Sequence, residues 1–89
     1  MSHDPVLFCD QAIANPAMEA SDLRDLVTPL SSAERHELLE VALDRALKAV
    51  TMRTVPVAQR QRTLLVLGVI LNRVVYVDMI DPSSPDRKI

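Results

Sequence analysis

Apolar positions in this chain recur mostly at intervals of three and four, and prolines break the pattern into segments. Over 32–50, His36, Leu39, Leu43, Ala46 and Val50 fall at steps of 3, 4, 3 and 4. That is a heptad seam, and Leu38, Ala42, Leu47 and Ala49 widen it. Glu37, Glu40, Asp44 and Lys48 lie opposite, with Asp44 and Lys48 an i,i+4 pair in the favourable orientation. Ser31 followed three residues later by Glu34 is a capping box, in which hydroxyl and carboxylate satisfy each other's orphan amides. The spacing predicts a long helix with this seam as its core face.

The segment 57–80 has two readings. Val66, Val69, Ile70, Val74, Val75, Tyr76, Val77 and Ile80 favour strands, and Asn72-Arg73 could turn a hairpin between them. That turn lacks glycine, however, and neither flank alternates apolar with polar. A helix explains the polar positions better. It places Arg62, Asn72, Arg73 and Tyr76 on one side, and opposite them Thr63, Leu67, Ile70, Val74 and Val77 at steps of 4, 3, 4 and 3. Leu65 and Val69 fall beside the polar residues, so the helix is apolar around most of its girth and needs cover on two sides.

Two shorter helices precede these. Asp4-Pro5 reads as an N-cap followed by proline at the first helical position, and Asn15-Pro16 ends the helix that carries Val6, Leu7, Phe8, Ala12 and Ile13. A second runs over 21–27, with Leu23, Leu26 and Val27 on one side and Thr28-Pro29 as its stop. Neither is long enough to stand without packing on the rest. Residues 82–89, with two prolines and two serines, read as a flexible tail.

Composition narrows the class. Of 89 residues 48% are hydrophobic, but there is one glycine, one Phe, one Tyr and no Trp, which disfavours a sandwich or barrel. A chain this short hides only about 60–65% of its unfolded surface, so an aliphatic core is thin and self-association becomes attractive. The longest apolar run, 64–71, is far below the ~20 residues of a membrane span. MSHDPVLF lacks the basic and apolar regions of a secretory signal, and a lone Cys9 suggests no oxidising compartment. These features lead us to expect a cytoplasmic protein.

Charge is uneven. Residues 1–34 carry six carboxylates against Arg24, residues 35–75 seven cations against three carboxylates, and the whole chain is −2. Packing of the acidic first third on the basic middle is the reading that oppositely charged segments of one chain favour. A net-acidic chain is a poor general nucleic-acid coat.

Candidate chemistry is sparse. Cys9 beside Asp10 would have a raised thiol pKa and reads as a small buried hydrophobe. His36, at a seam position near a helix start, reads as a partly buried, hydrogen-bonded imidazole. A metal site would need His3, Cys9 and His36 to meet by tertiary accident. Glu37, Glu40 and Asp44 form a solvated face, and Gly68 alone cannot build a phosphate loop. No catalytic, cofactor or metal site is expected.

The sequence thus predicts an all-α domain over 1–81: an antiparallel pair of long helices with short N-terminal helices packed on it, in a homodimer. Its expected role is that of a non-catalytic regulatory or adaptor protein acting through helix contacts with another protein, away from membranes. The expected interaction surface is Leu65, Val69, Arg62, Arg73 and Tyr76. The alternative is a DNA-binding regulator using Arg53, Arg60 and Arg62 as a basic patch, a role against which the scarcity of aromatics and the net charge both weigh.

Overall fold

A computed structural model describes residues 4–79, and these are all-helical, with no strand among them. The order is α1 (Pro5–Ala14), α2 (Ala20–Val27), α3 (Ser32–Thr51) and α4 (Val57–Arg73), and α4 runs on into a π-helix (Val74–Met79). The hairpin reading of 57–80 therefore falls for every described residue. The expected tail, 82–89, lies outside the described residues.

Each start has a local cause. The Asp4 carboxylate accepts from the Val6 and Leu7 amides at 3.1 and 3.2 Å, with Pro5 at the first helical position. The Ser31–Glu34 capping box forms as predicted, with Glu34 N–H to Ser31 Oγ at 3.2 Å and Ser31 N–H to Glu34 Oε1 at 3.0 Å. A second box, unread in the sequence, opens α2 one residue earlier than expected. There the Glu19 amide donates to Asp22 Oδ2 at 3.1 Å.

The core forms where all four helices meet. Cys9 and Ala12 of α1, Leu23 and Val27 of α2, Leu38 and Ala42 of α3, and Val66 and Ile70 of α4 are its buried members. Full burial of side chains such as Leu23, Leu38 and Ile70 stabilises by about 1.5–3 kcal/mol each. The most extensive helix contact is α3 with α4, α1 packs on both, and α2 packs chiefly on α4. Thr63 is the one buried neutral polar side chain among the described residues, and it donates to Gln59 O at 2.7 Å.

The buried face of α3 differs from the expected seam. Arg35, Leu38, Ala42, Ala46 and Ala49 are buried, whereas Leu43, Leu47 and Val50 are exposed and Leu39 is half-buried. Small side chains let a neighbouring backbone come close. An alanine stripe at 42, 46 and 49 thus lies on the buried side of α3, and the larger residues are turned outward. On α4 the expected face holds better, with Thr63, Ile70 and Val74 buried, although Val66 replaces the half-buried Leu67.

Arg35 is a buried cation, and its surroundings explain how. Its guanidinium donates to both carboxylate oxygens of Asp78, through Nε at 3.0 Å and Nη2 at 2.5 Å. Nη1 donates to the carbonyls of Thr28, at 2.8 Å, and Leu30. One side chain thereby ties the end of α2 and the π-helix to α3. The slackened winding of Val74–Met79 turns each residue through a smaller angle, and it keeps Asp78 on the buried side with Ile70 and Val74. The guanidinium beside Asp78 holds its carboxyl below the usual aspartate range, and Arg35 is raised in turn.

Candidate functional site

The described surface has an apolar portion, in rows on α3 and α4, that no described helix buries. On α3 it carries Leu43, Leu47 and Val50, which are 50%, 63% and 56% exposed, with Leu39 at its inner edge. On α4 it carries Leu64 and Leu71, 46% and 44% exposed, with Leu67 at the inner edge and Val57 at the start of the helix. The α3 row, 39, 43, 47 and 50, keeps the three- and four-residue spacing of a coiled-coil seam, and on α4 64, 67 and 71 do the same, with Val57 one heptad before Leu64. α1 and α2 cannot cover it because they bind elsewhere. Cys9 Sγ donates to Leu38 O at 3.7 Å, and Arg45 pairs with Asp10, which fixes α1 on the other flank of α3. Of the seam read in the sequence, His36, Leu43 and Val50 face outward, whereas Ala46 is buried and Leu39 packs against the core.

The five residues expected to form an interaction surface lie along one side of α4, and the N-terminal helices occupy much of that side. Arg62 donates from Nε to Ala12 O at 2.9 Å and from Nη2 to Asn15 O at 2.8 Å. It thus serves the orphan carbonyls at the end of α1. Val69 is half-buried against the core, and Leu65 shares with it a shallow hollow bordered by Ala20, Ser21 and Arg24 of α2. Arg73 donates to Asn72 Oδ1, and Tyr76 is exposed.

The arginines of the alternative reading are similarly placed one by one. Arg60 donates to Val55 O at 3.2 Å, Arg62 is committed to α1, and Arg53 is exposed in the turn between α3 and α4. The chain therefore spends donors of two of the three on its own carbonyls.

The acidic start and basic middle meet through Asp10 and Arg45, at 2.8 and 3.3 Å in a bidentate pair. Arg45 also donates to Asp44 at 2.8 Å, and Lys48 lies 3.3 Å from Asp44 as the helical spacing predicts. The Arg45 hydrogen bond lowers the Asp10 carboxyl below its ordinary range. Arg45, Lys48 and Arg62 rim a cavity of ≈ 600 Å³ floored by Ile13, Ala49 and Thr63, but each of these cations already has a partner within the chain.

Cys9 is fully buried, as expected of a small hydrophobe. Burial, with the neighbouring Asp10 charge second, pushes its thiol up to about 11, so it is a protonated thiol at neutral pH. The expectation for His36 is corrected: its side chain is 56% exposed, with Nε2 3.9 Å from Asp78 Oδ2. A heptad position made it look internal, and the shift of the buried face onto the alanines moved it outward. His3 lies outside the described residues. Among the described residues no group of three or more His, Cys, Asp and Glu side chains could hold a metal, and no helix is long and apolar enough to cross a membrane. Comparison with family models, characterised proteins and solved structures finds no match to this chain.

Proposed function

We propose that this is a small regulatory or adaptor protein of the cytoplasm that acts by helix-mediated protein–protein interaction, and that the contact surface is the uncovered apolar portion of α3 and α4. The carrying observation is the pair of exposed leucine and valine rows, Leu43, Leu47 and Val50 beside Leu64 and Leu71, at coiled-coil spacing. Single exposed leucines are ordinary, whereas a contiguous apolar patch on a soluble domain marks a binding surface. The short turn 52–56 and the extensive packing of α3 on α4 support an antiparallel pair, which would set the two rows side by side. On this reading the surface replaces the Leu65–Val69 side of α4, where α1 and α2 already pack.

The reading assigns the protein no chemistry of its own. Its thiol is buried and protonated, and Glu37, Glu40 and Asp44 on α3 are exposed. A photo-crosslinking residue at position 47, compared with one at Glu37 on the solvent side of α3, tests the proposal in the native cell. Adducts with a protein are expected from position 47 and not from 37. Equal labelling at both sites, or none at 47, would refute it.

A further inference from the structure

We infer that the occupant of this face is a second copy of the same chain, docked antiparallel so that α3 lies along α3 of the partner subunit. The inference rests on reading the face as a docking surface, and three observations narrow the occupant. The first is area. Leu43, Leu47, Val50, Met52, Val57, Leu64 and Leu71 are each about half exposed. Together they leave on the order of 600 Å² of apolar surface, at the upper limit of what a monomer ordinarily shows. With a polar rim this approaches the ~800 Å² per partner of a stable interface.

The second is period. A seam at steps of 3 and 4 is the pattern that a straight helical partner fills, and it runs over 39–50 of α3 and 64–71 of α4, with Val57 one heptad earlier. The partner therefore needs two long helices bearing matching rows, which this chain has.

The third is charge. The turn end of the face carries Arg53 and Arg60, and the other end carries Glu40 beside Leu43 and Leu47. Rotation about a two-fold axis crossing α3 at right angles near Ala46 and Leu47 would exchange the ends. Glu40, about 10 Å from the axis along α3 at 1.5 Å per residue, would then approach Arg53 of the partner subunit, in the turn just beyond α3. A two-fold axis parallel to the helices would instead bring the arginine ends of both copies together, and like charges directly opposed disfavour that arrangement. The face is self-complementary only in the antiparallel sense, as an isologous interface requires.

Sedimentation equilibrium from one to tens of micromolar should give the mass of a dimer. Leu43→Glu/Leu47→Glu should give a monomer with unchanged far-ultraviolet circular dichroism, because both side chains lie outside the chain's own core. Leu47→Cys should form an intermolecular disulfide on air oxidation, since position 47 lies near the axis and the native thiol is buried. Arg53→Glu should weaken the dimer several-fold, and Glu40→Arg added to it should restore the affinity. A wild-type monomer at tens of micromolar, a dimer that survives Leu43→Glu/Leu47→Glu, or a Leu47→Cys chain that stays unlinked would each overturn the inference. Fluorescence of anilinonaphthalene sulfonate separates the two readings. A monomer that binds the dye, and loses it in Leu47→Glu, refutes the second copy but leaves the face open to a different protein. A monomer that does not bind the dye refutes both.

Discussion

Asp78→Asn probes the contact that ties three segments of the molecule together. In the native chain the Arg35 guanidinium makes two hydrogen bonds to the Asp78 carboxylate, and the two side chains are 7% and 8% exposed. Hydrogen bonds to charged groups contribute about 1.5–3 kcal/mol each, and the amide can replace at most one of them with a weaker neutral bond. Breaking a buried pair from one side commonly costs about 3–5 kcal/mol, because the remaining charge stays buried. Here Arg35 keeps the Thr28 and Leu30 carbonyls, which reduces that cost. The expected loss is about 2–4 kcal/mol, a large fraction of the roughly 5–15 kcal/mol that stabilises a small domain.

Urea unfolding followed by far-ultraviolet circular dichroism measures it directly. Arg35→Met/Asp78→Leu removes both charges and should recover most of the loss, since apolar pairs of similar volume are often as stable as the ion pair they replace. The pH dependence has a definite sign. Because the folded state holds the Asp78 carboxyl below its ordinary value, the unfolded chain binds more protons in the acid range, and stability rises with pH there. The contribution is complete above about pH 5 and is lost as pH falls through the ordinary carboxylate range toward the depressed folded value. Asp78→Asn should lack this limb. A loss below 1 kcal/mol, or an acid limb identical to wild type, would show that the Arg35–Asp78 contact does not hold the molecule as argued.

Other outcomes follow from local geometry. Gly68→Ala should stabilise by about 0.5–1 kcal/mol, because glycine weakens a helix interior and an added Cβ there meets nothing within 4 Å; a destabilised variant in thermal melts would contradict it. The Cys9 thiol should react with Ellman's reagent only at the rate of unfolding, so rapid labelling of native protein at neutral pH would show that it is neither buried nor protonated. Asp10→Asn should cost only about 0–1 kcal/mol, since both partners of the Asp10–Arg45 pair reach solvent; a loss several times larger in urea titration would give that pair a structural weight its exposure does not support.

The helices were legible because their signals are local. Asp4-Pro5, Ser31 with Glu34, and Thr28-Pro29 act within one turn, and the structure places boundaries at or beside all three. Which face of α3 turns inward was not legible. A leucine-weighted period finds the seam at 39, 43 and 50, but the choice between that seam and the alanine stripe depends on how closely α4 approaches. Arg35 was missed for a related reason: its partner Asp78 lies 43 residues away, and the winding that delivers it has no local signature. The candidate surface shifted with the face. Val69 is half-buried where α2 packs on that side of α4, whereas Leu65 stays 41% exposed there.

The alanine stripe and the leucine seam on α3 should therefore respond to truncation and enlargement in opposite ways. Ala42 is 1% exposed, within the core shared by the four helices. Ala42→Leu inserts a larger side chain into that core, and overpacking of this kind costs about 1–3 kcal/mol. That loss belongs to the single chain, so the melting temperature should fall equally at every protein concentration. Leu43 is adjacent in sequence but half exposed, and Leu43→Ala removes little from the monomer. If the seam is covered by a second copy, folding is linked to association and the melting temperature of wild type rises with concentration. Leu43→Ala should then flatten that rise while leaving the dilute limit nearly unchanged. Melts across a hundredfold range of concentration separate the two cases. A Leu43→Ala chain that is destabilised equally at all dilutions, or an Ala42→Leu chain that melts like wild type, would place the core of α3 on the leucine seam after all.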